Sequence, residues 1–254
     1  MKGKARPRGS PRRRLLLKAA AGLVGCWLLL VAWQPAGVFG LLAWAFPRIV
    51  WRVETAEPLV ALSFDDGPDP TFTPQVLGLL AAHGARATFF LIGRRAAAEP
   101  GLLGRIRAEG HEIGNHYLTS GTTLTASTAV FAERLMRTEE ILGLSGAQPK
   151  LFRPPGGLIW PGQLEAARAR GYLAVLGSAY PYDPRRPPES YIRWLVSKNL
   201  APGAIVILHD SGGDRSRSVA ALPGILAAGG AMGLRFVTVG ELLAAQGGAL
   251  TERR

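Results

Sequence analysis

Cysteine and histidine are scarce in this chain of 254 residues: there is one cysteine, Cys26, and four histidines. A single thiol excludes an intrachain disulfide and a zinc cage built from cysteines. It does not imply a reducing compartment. Charge is sparse too, with 19% charged residues against 48% apolar ones, so the body is no disordered tail and can bury a sizeable core. Internal repeats are absent. The net charge of +12 is concentrated at one end. Eight basic residues (Lys2, Lys4, Arg6, Arg8, Arg12, Arg13, Arg14 and Lys18) precede the first acid; removing them from the 30 leaves 22 basic residues against 18 acidic ones. No basic stripe interleaved with aromatics remains, and nucleic acid is excluded as a partner.

What is there begins with a basic N-terminus, residues 1–14, followed by an apolar segment over 15–46 interrupted at Gln34 and Pro35. That length suffices to cross ~30 Å of hydrocarbon. Basic residues ahead of it place the N-terminus in the cytoplasm and the body outside, attached through a retained signal-anchor. Alternatives are a signal peptide cleaved near Ala43-Trp44-Ala45, which would release a secreted protein, and a twin-arginine export signal at Arg13-Arg14-Leu15. Leu23-Val24-Gly25-Cys26 resembles a lipobox, but strongly apolar sequence continues past Cys26, and a membrane-buried cysteine is the better reading. Residues 47–57 read as a linker.

From residue 58 to 248 the sequence reads as one domain in which short apolar strands alternate with helical stretches, the pattern of βα units on a largely parallel sheet. Strands are expected at 59–64, 86–92, 112–114, 151–153, 173–176, 204–208 and 234–239. Helices are expected at 73–83, 95–109, 126–144, 161–170, 189–200 and 219–228, with a short one at the end. About seven such units in fewer than two hundred residues predict a distorted or incomplete (β/α) barrel. Chemistry on such folds gathers at the C-terminal ends of the strands. Polar groups follow four of them: Asp65-Asp66-Gly67-Pro68, Asn115-His116, Arg153 through Gly157, and His209-Asp210.

Adjacent carboxylates point to opposite faces of a regular strand, but a Gly-Pro turn directly after them lets both approach one site, where their repulsion favours a cation. Asp65 and Asp66 could otherwise be simple loop caps; His116 and His209 at other strand tips argue against that. His83, near a helix end before Gly84, and His111, ahead of a strand, lie away from that rim and are not expected to act as ligands.

Ser63-Phe64-Asp65-Asp66-Gly67-Pro68, Gly110 through His116, Arg153-Pro154-Pro155-Gly156-Gly157 and Leu208-His209-Asp210 resemble, in order and spacing, the motifs of the polysaccharide deacetylase (NodB-homology) family of carbohydrate esterases. Arg86 through Phe90 resembles its second core strand. The resemblance implies metal-dependent removal of acetyl groups from an N-acetylated amino-sugar glycan of the cell envelope. It gives Asp66 and His116 the part of metal ligands, Asp65 that of general base and His209 that of general acid. Arg153 matches the arginine that orients the base, and Gly156 the residue whose N–H helps hold the oxyanion. The implied cofactor is a divalent metal, zinc first, with cobalt or nickel as alternatives.

Two departures stand out. The family's second metal histidine is Ser120 here, a poor zinc ligand, and no spare histidine replaces it. The family's aspartate-tryptophan motif is matched only by Asp183, expected to orient Arg153 or His209. These departures keep open a non-catalytic glycan-binding protein of the membrane, and a hydrolase acting on a non-sugar amide.

Overall fold

The computed structural model describes residues 33, 34, 36–147 and 149–246. The fold is that of the unit beginning at Ala36. In chain order it runs α1 (Ala36–Ala45), β1 (Ile49–Val50), β2 (Leu59–Asp65), α2 (Thr73–Ala82), β3 (Thr88–Leu91), α3 (Gly93–Ala98), α4 (Pro100–Ala108), β4 (Glu112–Asn115) and α5 (Thr128–Leu142). There follow β5 (Lys150–Phe152), α6 (Pro161–Arg168), β6 (Tyr172–Val175), α7 (Glu189–Lys198), β7 (Ile205–His209), α8 (Ser216–Ala231), β8 (Arg235–Val237) and α9 (Val239–Ala244).

All pairings between these strands are parallel, in the order β1-β6-β5-β4-β3-β2-β7, with β8 added beside β2. Beyond β6 the chain bends across to β7: the Ser178 and Ala179 N–H groups donate to the Ile205 carbonyl at 3.0 and 3.3 Å, and Ile207 N–H donates to the Ala179 carbonyl at 2.9 Å. Strands β2 to β7 thereby close into a ring. β8 pairs with Leu59 to Ala61 of β2 while β3 pairs with Ser63 to Asp65, so two strands share one edge at different heights. This is the distorted (β/α) barrel expected from the strand count.

β2 lies between β3 and β7, and all seven of its residues are buried, as expected of a parallel strand covered on both faces. Its alternation sorts them. Val60, Leu62 and Phe64 join the cluster that includes Val76, Leu77 and Leu80 of α2, whereas Leu59 and Ala61 join Phe90, Leu151, Val175 and Ile205 in the barrel interior. Ser63 and Asp65 continue that inward row by the two-residue period, which puts Asp65 at the top of the interior.

Helix boundaries follow local chemistry. Ser127 caps α5 by accepting from the Val130 N–H, and Gly143 ends the helix with φ 59°. Thr238 and Glu241 form a capping box on α9. The single helix expected over 95–109 is two helices, α3 and α4, because Pro100 cannot continue a helical turn and instead begins the next one. The linker expected over 47–57 contributes a two-residue strand, β1, which pairs with β6. Among the described residues no helix is long and apolar enough to cross a membrane. The anchor expected over 15–46 falls largely on residues 15–32, outside the described ones; its last part is α1.

Candidate active site

The C-terminal rim of the barrel gathers six of the expected side chains. Asp65 and His209 are register partners on β2 and β7. His116 and Arg153 follow β4 and β5, whose ends pair through the Arg153 N–H and the Asn115 carbonyl at 3.0 Å. Asp66 leaves the strand in the left-handed region, φ 72°, ahead of a cis Gly67-Pro68 bond. That backbone reversal lets two consecutive carboxylates share one site.

Arg153 ties the site together. Its side chain is 2% exposed, and its Nη1 donates to Asp65 Oδ1 at 2.6 Å and to the Ser63 hydroxyl at 2.8 Å. Nε and Nη2 donate to the carbonyls of Val175 and Leu176, both at 3.1 Å. The guanidinium lies over the Phe90 ring, 4.0 Å from its centroid, a cation–π contact inside the barrel. Burial lowers the Arg153 pKa, while the charge of Asp65 and its hydrogen bond act to raise it. The pair is desolvated and held at four points, so Asp65 has one orientation.

His116 is fixed by its other ring nitrogen. Nδ1 is 2.8 Å from the Arg153 carbonyl; a carbonyl only accepts, so Nδ1 carries the proton and neutral His116 presents a lone pair at Nε2. Burial lowers its pKa, against the raising influence of Asp65 and Asp66 and with the help of Arg153. The lone pair faces Asp66 Oδ1 at 3.6 Å. Two acceptors directed at each other repel unless a cation separates them, and two ligands of a tetrahedral ion with bonds of ~2.1 Å lie ~3.4 Å apart. These residues therefore fit a divalent ion as two of its ligands. Among the described residues no group of three His, Cys, Asp or Glu side chains could hold a metal. Ser120 lies exposed on the loop after β4.

His209 is held differently. Its Nδ1 is 3.0 Å from Asp183 Oδ1, its backbone N–H donates to Asp183 Oδ2 at 2.8 Å, and the Ser218 hydroxyl donates to the same oxygen at 2.7 Å. Asp183 contacts His209 and not the Arg153 guanidinium, which is served by Ser63, Asp65 and two carbonyls. Burial acts to lower the His209 pKa, but the charge and hydrogen bond of Asp183, with Asp65 and Asp66 behind them, raise it above the ordinary histidine value. The outcome is an imidazole inclined to carry a proton.

Gly156 sits exposed on the rim with φ 68°. Tyr180 stacks obliquely on His209, centroids 5.9 Å apart, along the stretch where the family tryptophan is missing. His83 is exposed, with Nδ1 against the Leu79 carbonyl, and buried His111 accepts from the Ala87 N–H through Nδ1; neither joins the site. No motif marks Ser218, a lone serine on a helix, or Arg95, whose Nη1 donates to the Asp66 carbonyl at 2.6 Å and to the Ser211 hydroxyl at 2.9 Å.

Residues 52–175 match the polysaccharide deacetylase family model. A peptidoglycan-N-acetylglucosamine deacetylase of Bacillus cereus is 43% identical over 197 residues, covering 77% of this chain and 92% of that protein. The chain belongs to the polysaccharide deacetylase family. A second member, a chitooligosaccharide deacetylase of Sinorhizobium fredii, is 36% identical over 165 residues, covering 64% of this chain and 77% of that one. The crystal structure of a peptidoglycan N-acetylglucosamine deacetylase in complex with 4-naphthalen-1-yl-N-oxidanyl-benzamide superimposes with a TM-score of 0.75 at 34% identity, covering 80% of this chain and 96% of that one. The family fold extends to the NodB-type barrel described above, and the chain is a hydrolase of this family.

Proposed function

We propose that this chain hydrolyses the N-acetyl group of N-acetylglucosamine units in a cell-envelope glycan, releasing acetate and leaving a free amine. The observation that carries the reading is the convergence of Asp65, buried and locked by Arg153, with His209, buried and backed by Asp183, on neighbouring strand tips. The relatives named for peptidoglycan and chitooligosaccharide deacetylation support the substrate class.

Asp66 and His116 are the groups that would hold a divalent ion, most fittingly zinc. Such an ion would polarise the amide carbonyl and lower the pKa of water toward neutrality. The protein's own groups then divide the proton work. Asp65 accepts a proton from the attacking water; Arg153 keeps this carboxylate oriented. His209 passes a proton from Nε2 to the departing nitrogen, since Nδ1 is committed to Asp183. A proton is therefore taken at one side chain and returned at another. Gly156 would offer its backbone N–H to the negative oxygen of the tetrahedral carbon, a role supported by its position three residues after Arg153 and its exposure.

We further propose that the chain is held at the membrane with its barrel on the outer side. The apolar run over 15–46 supports this, as does the exposure of Leu41, Trp44 and Phe46. The second reading, a glycan-binding protein without turnover, is favoured by Ser120 and by the lack, among the described residues, of a third His, Cys, Asp or Glu beside Asp66 and His116. One experiment separates them. The purified full-length chain is incubated with N-acetylglucosamine oligomers and zinc or cobalt, and acetate is measured. Acetate release that falls about 10²–10⁴-fold in Asp65→Asn supports hydrolysis; no acetate from any N-acetylated oligomer contradicts it.

A further inference from the structure

The loops that follow β4 and β5, whose tips carry His116 and Arg153, meet to form one sector of the rim. Trp160 and Leu158 stand on it, 55% and 58% exposed. The indole is not a loose surface group. Its Nε1–H donates to the Leu124 carbonyl at 2.9 Å, and its backbone N–H donates to the Gln163 side chain at 3.3 Å. Gln163 is itself buried and donates through Nε2 to the carbonyls of Thr123 and Ala126 at 2.8 and 3.0 Å. The edge of the ring is thus fastened to the neighbouring loop while the side chain remains open to solvent.

The surroundings are chemically unusual for a protein surface. Residues 117–132 and 154–164 contain no charged side chain, in a chain with net charge +12. In place of charge the first loop offers hydroxyls: Ser120, Thr122, Thr125 and Ser127 are all exposed. An open aromatic beside neutral hydroxyls suits a pyranose, whose axial C–H groups pack on a π-face while its hydroxyls exchange hydrogen bonds. It does not suit anionic phosphates, which need cationic partners.

We propose that this sector is a subsite separate from the reacting centre, which seats a neighbouring neutral sugar ring of the glycan on Trp160. The proposal rests on the deacetylase reading, and adds to it the residue that seats a ring beside the reacting one. The subsite adds affinity for chain length without touching the reacting atoms.

The test uses the full-length chain with N-acetylglucosamine dimer and hexamer. Trp160→Ala should lower kcat/KM for the hexamer about tenfold through KM, leave the dimer unchanged and weaken hexamer binding by calorimetry. Trp160→Phe, which keeps an aromatic face, should retain most of the preference for length. An equal fall for dimer and hexamer, or an unaltered hexamer, would overturn the subsite. So would an unaltered length preference accompanied by weaker binding to phosphatidylcholine vesicles, which would assign the patch to lipid. Should the native chain release no acetate, the deacetylase reading fails by itself. Calorimetry still decides the subsite, because hexamer binding lost in Trp160→Ala supports it and equal binding refutes it.

Discussion

Asp65 Oδ1 and Arg153 Nη1 lie 2.6 Å apart with both side chains almost wholly buried. Two charges removed from water are tolerated there because Arg153 also satisfies Ser63, Val175 and Leu176, so that no member is left without partners. Arg153→Met should therefore destabilise the protein by about 3–5 kcal/mol, leaving a buried carboxylate and two carbonyls without their donor. Chemical denaturation at neutral pH measures it. A loss below about 1 kcal/mol would mean that the pair is far better hydrated than its burial implies.

The Asp183–His209 pair makes a pH-dependent prediction. The folded imidazole titrates above its ordinary 6.5, so the pair's contribution to stability is complete below about 6.5 and is lost as pH rises through the raised value. For the same reason kcat should decline on the alkaline side, as the proton on Nε2 is lost. Asp183→Asn removes the charge that opposes burial, and should move that alkaline limb to lower pH. An unmoved limb would show that another group donates the proton.

Asp210 presents the reverse case. It is fully buried, Thr73 donates to its Oδ2 at 2.6 Å, its Oδ1 has no hydrogen-bond partner among the described residues, and burial raises its pKa from 3.8 to about 7. A folded value above the unfolded one means that stability falls as pH climbs from about 4 to about 7, where the unfolded chain ionises and the folded one does not. At ~1.4 kcal/mol per pH unit the slope amounts to roughly 4 kcal/mol over that interval. Asp210→Asn should flatten it, as read from denaturation midpoints at pH 4.5 and 7.5.

Most of the barrel was legible because its signals are local. Short apolar runs such as 59–64, each followed by polar or turn residues, announce their strands directly. The break at Pro100 was equally visible, but the apolar spacing on either side of it suggested one continuous helix. Ile49 and Val50 form too short a strand to show any period, and become a strand only by pairing with β6. At the site, Asp65, Asp66, His116, Arg153 and His209 betray themselves as polar groups at strand ends. The choice of Asp183's partner did not, because it depends on how the segment after β6 crosses to β7. Arg95 and Ser218 were illegible for the same reason: each acts through a fold contact that spans dozens of residues of sequence.

The most direct test of the account is the metal content of the full-length chain after purification without chelator, followed by calorimetric titration with zinc and cobalt. His116 Nε2 and Asp66 Oδ1, two acceptors 3.6 Å apart, predict one bound ion per chain. They also predict that His116→Ala and Asp66→Ala each weaken binding at least about tenfold. Binding that is undetectable in the native chain, or undiminished in both variants, would contradict it.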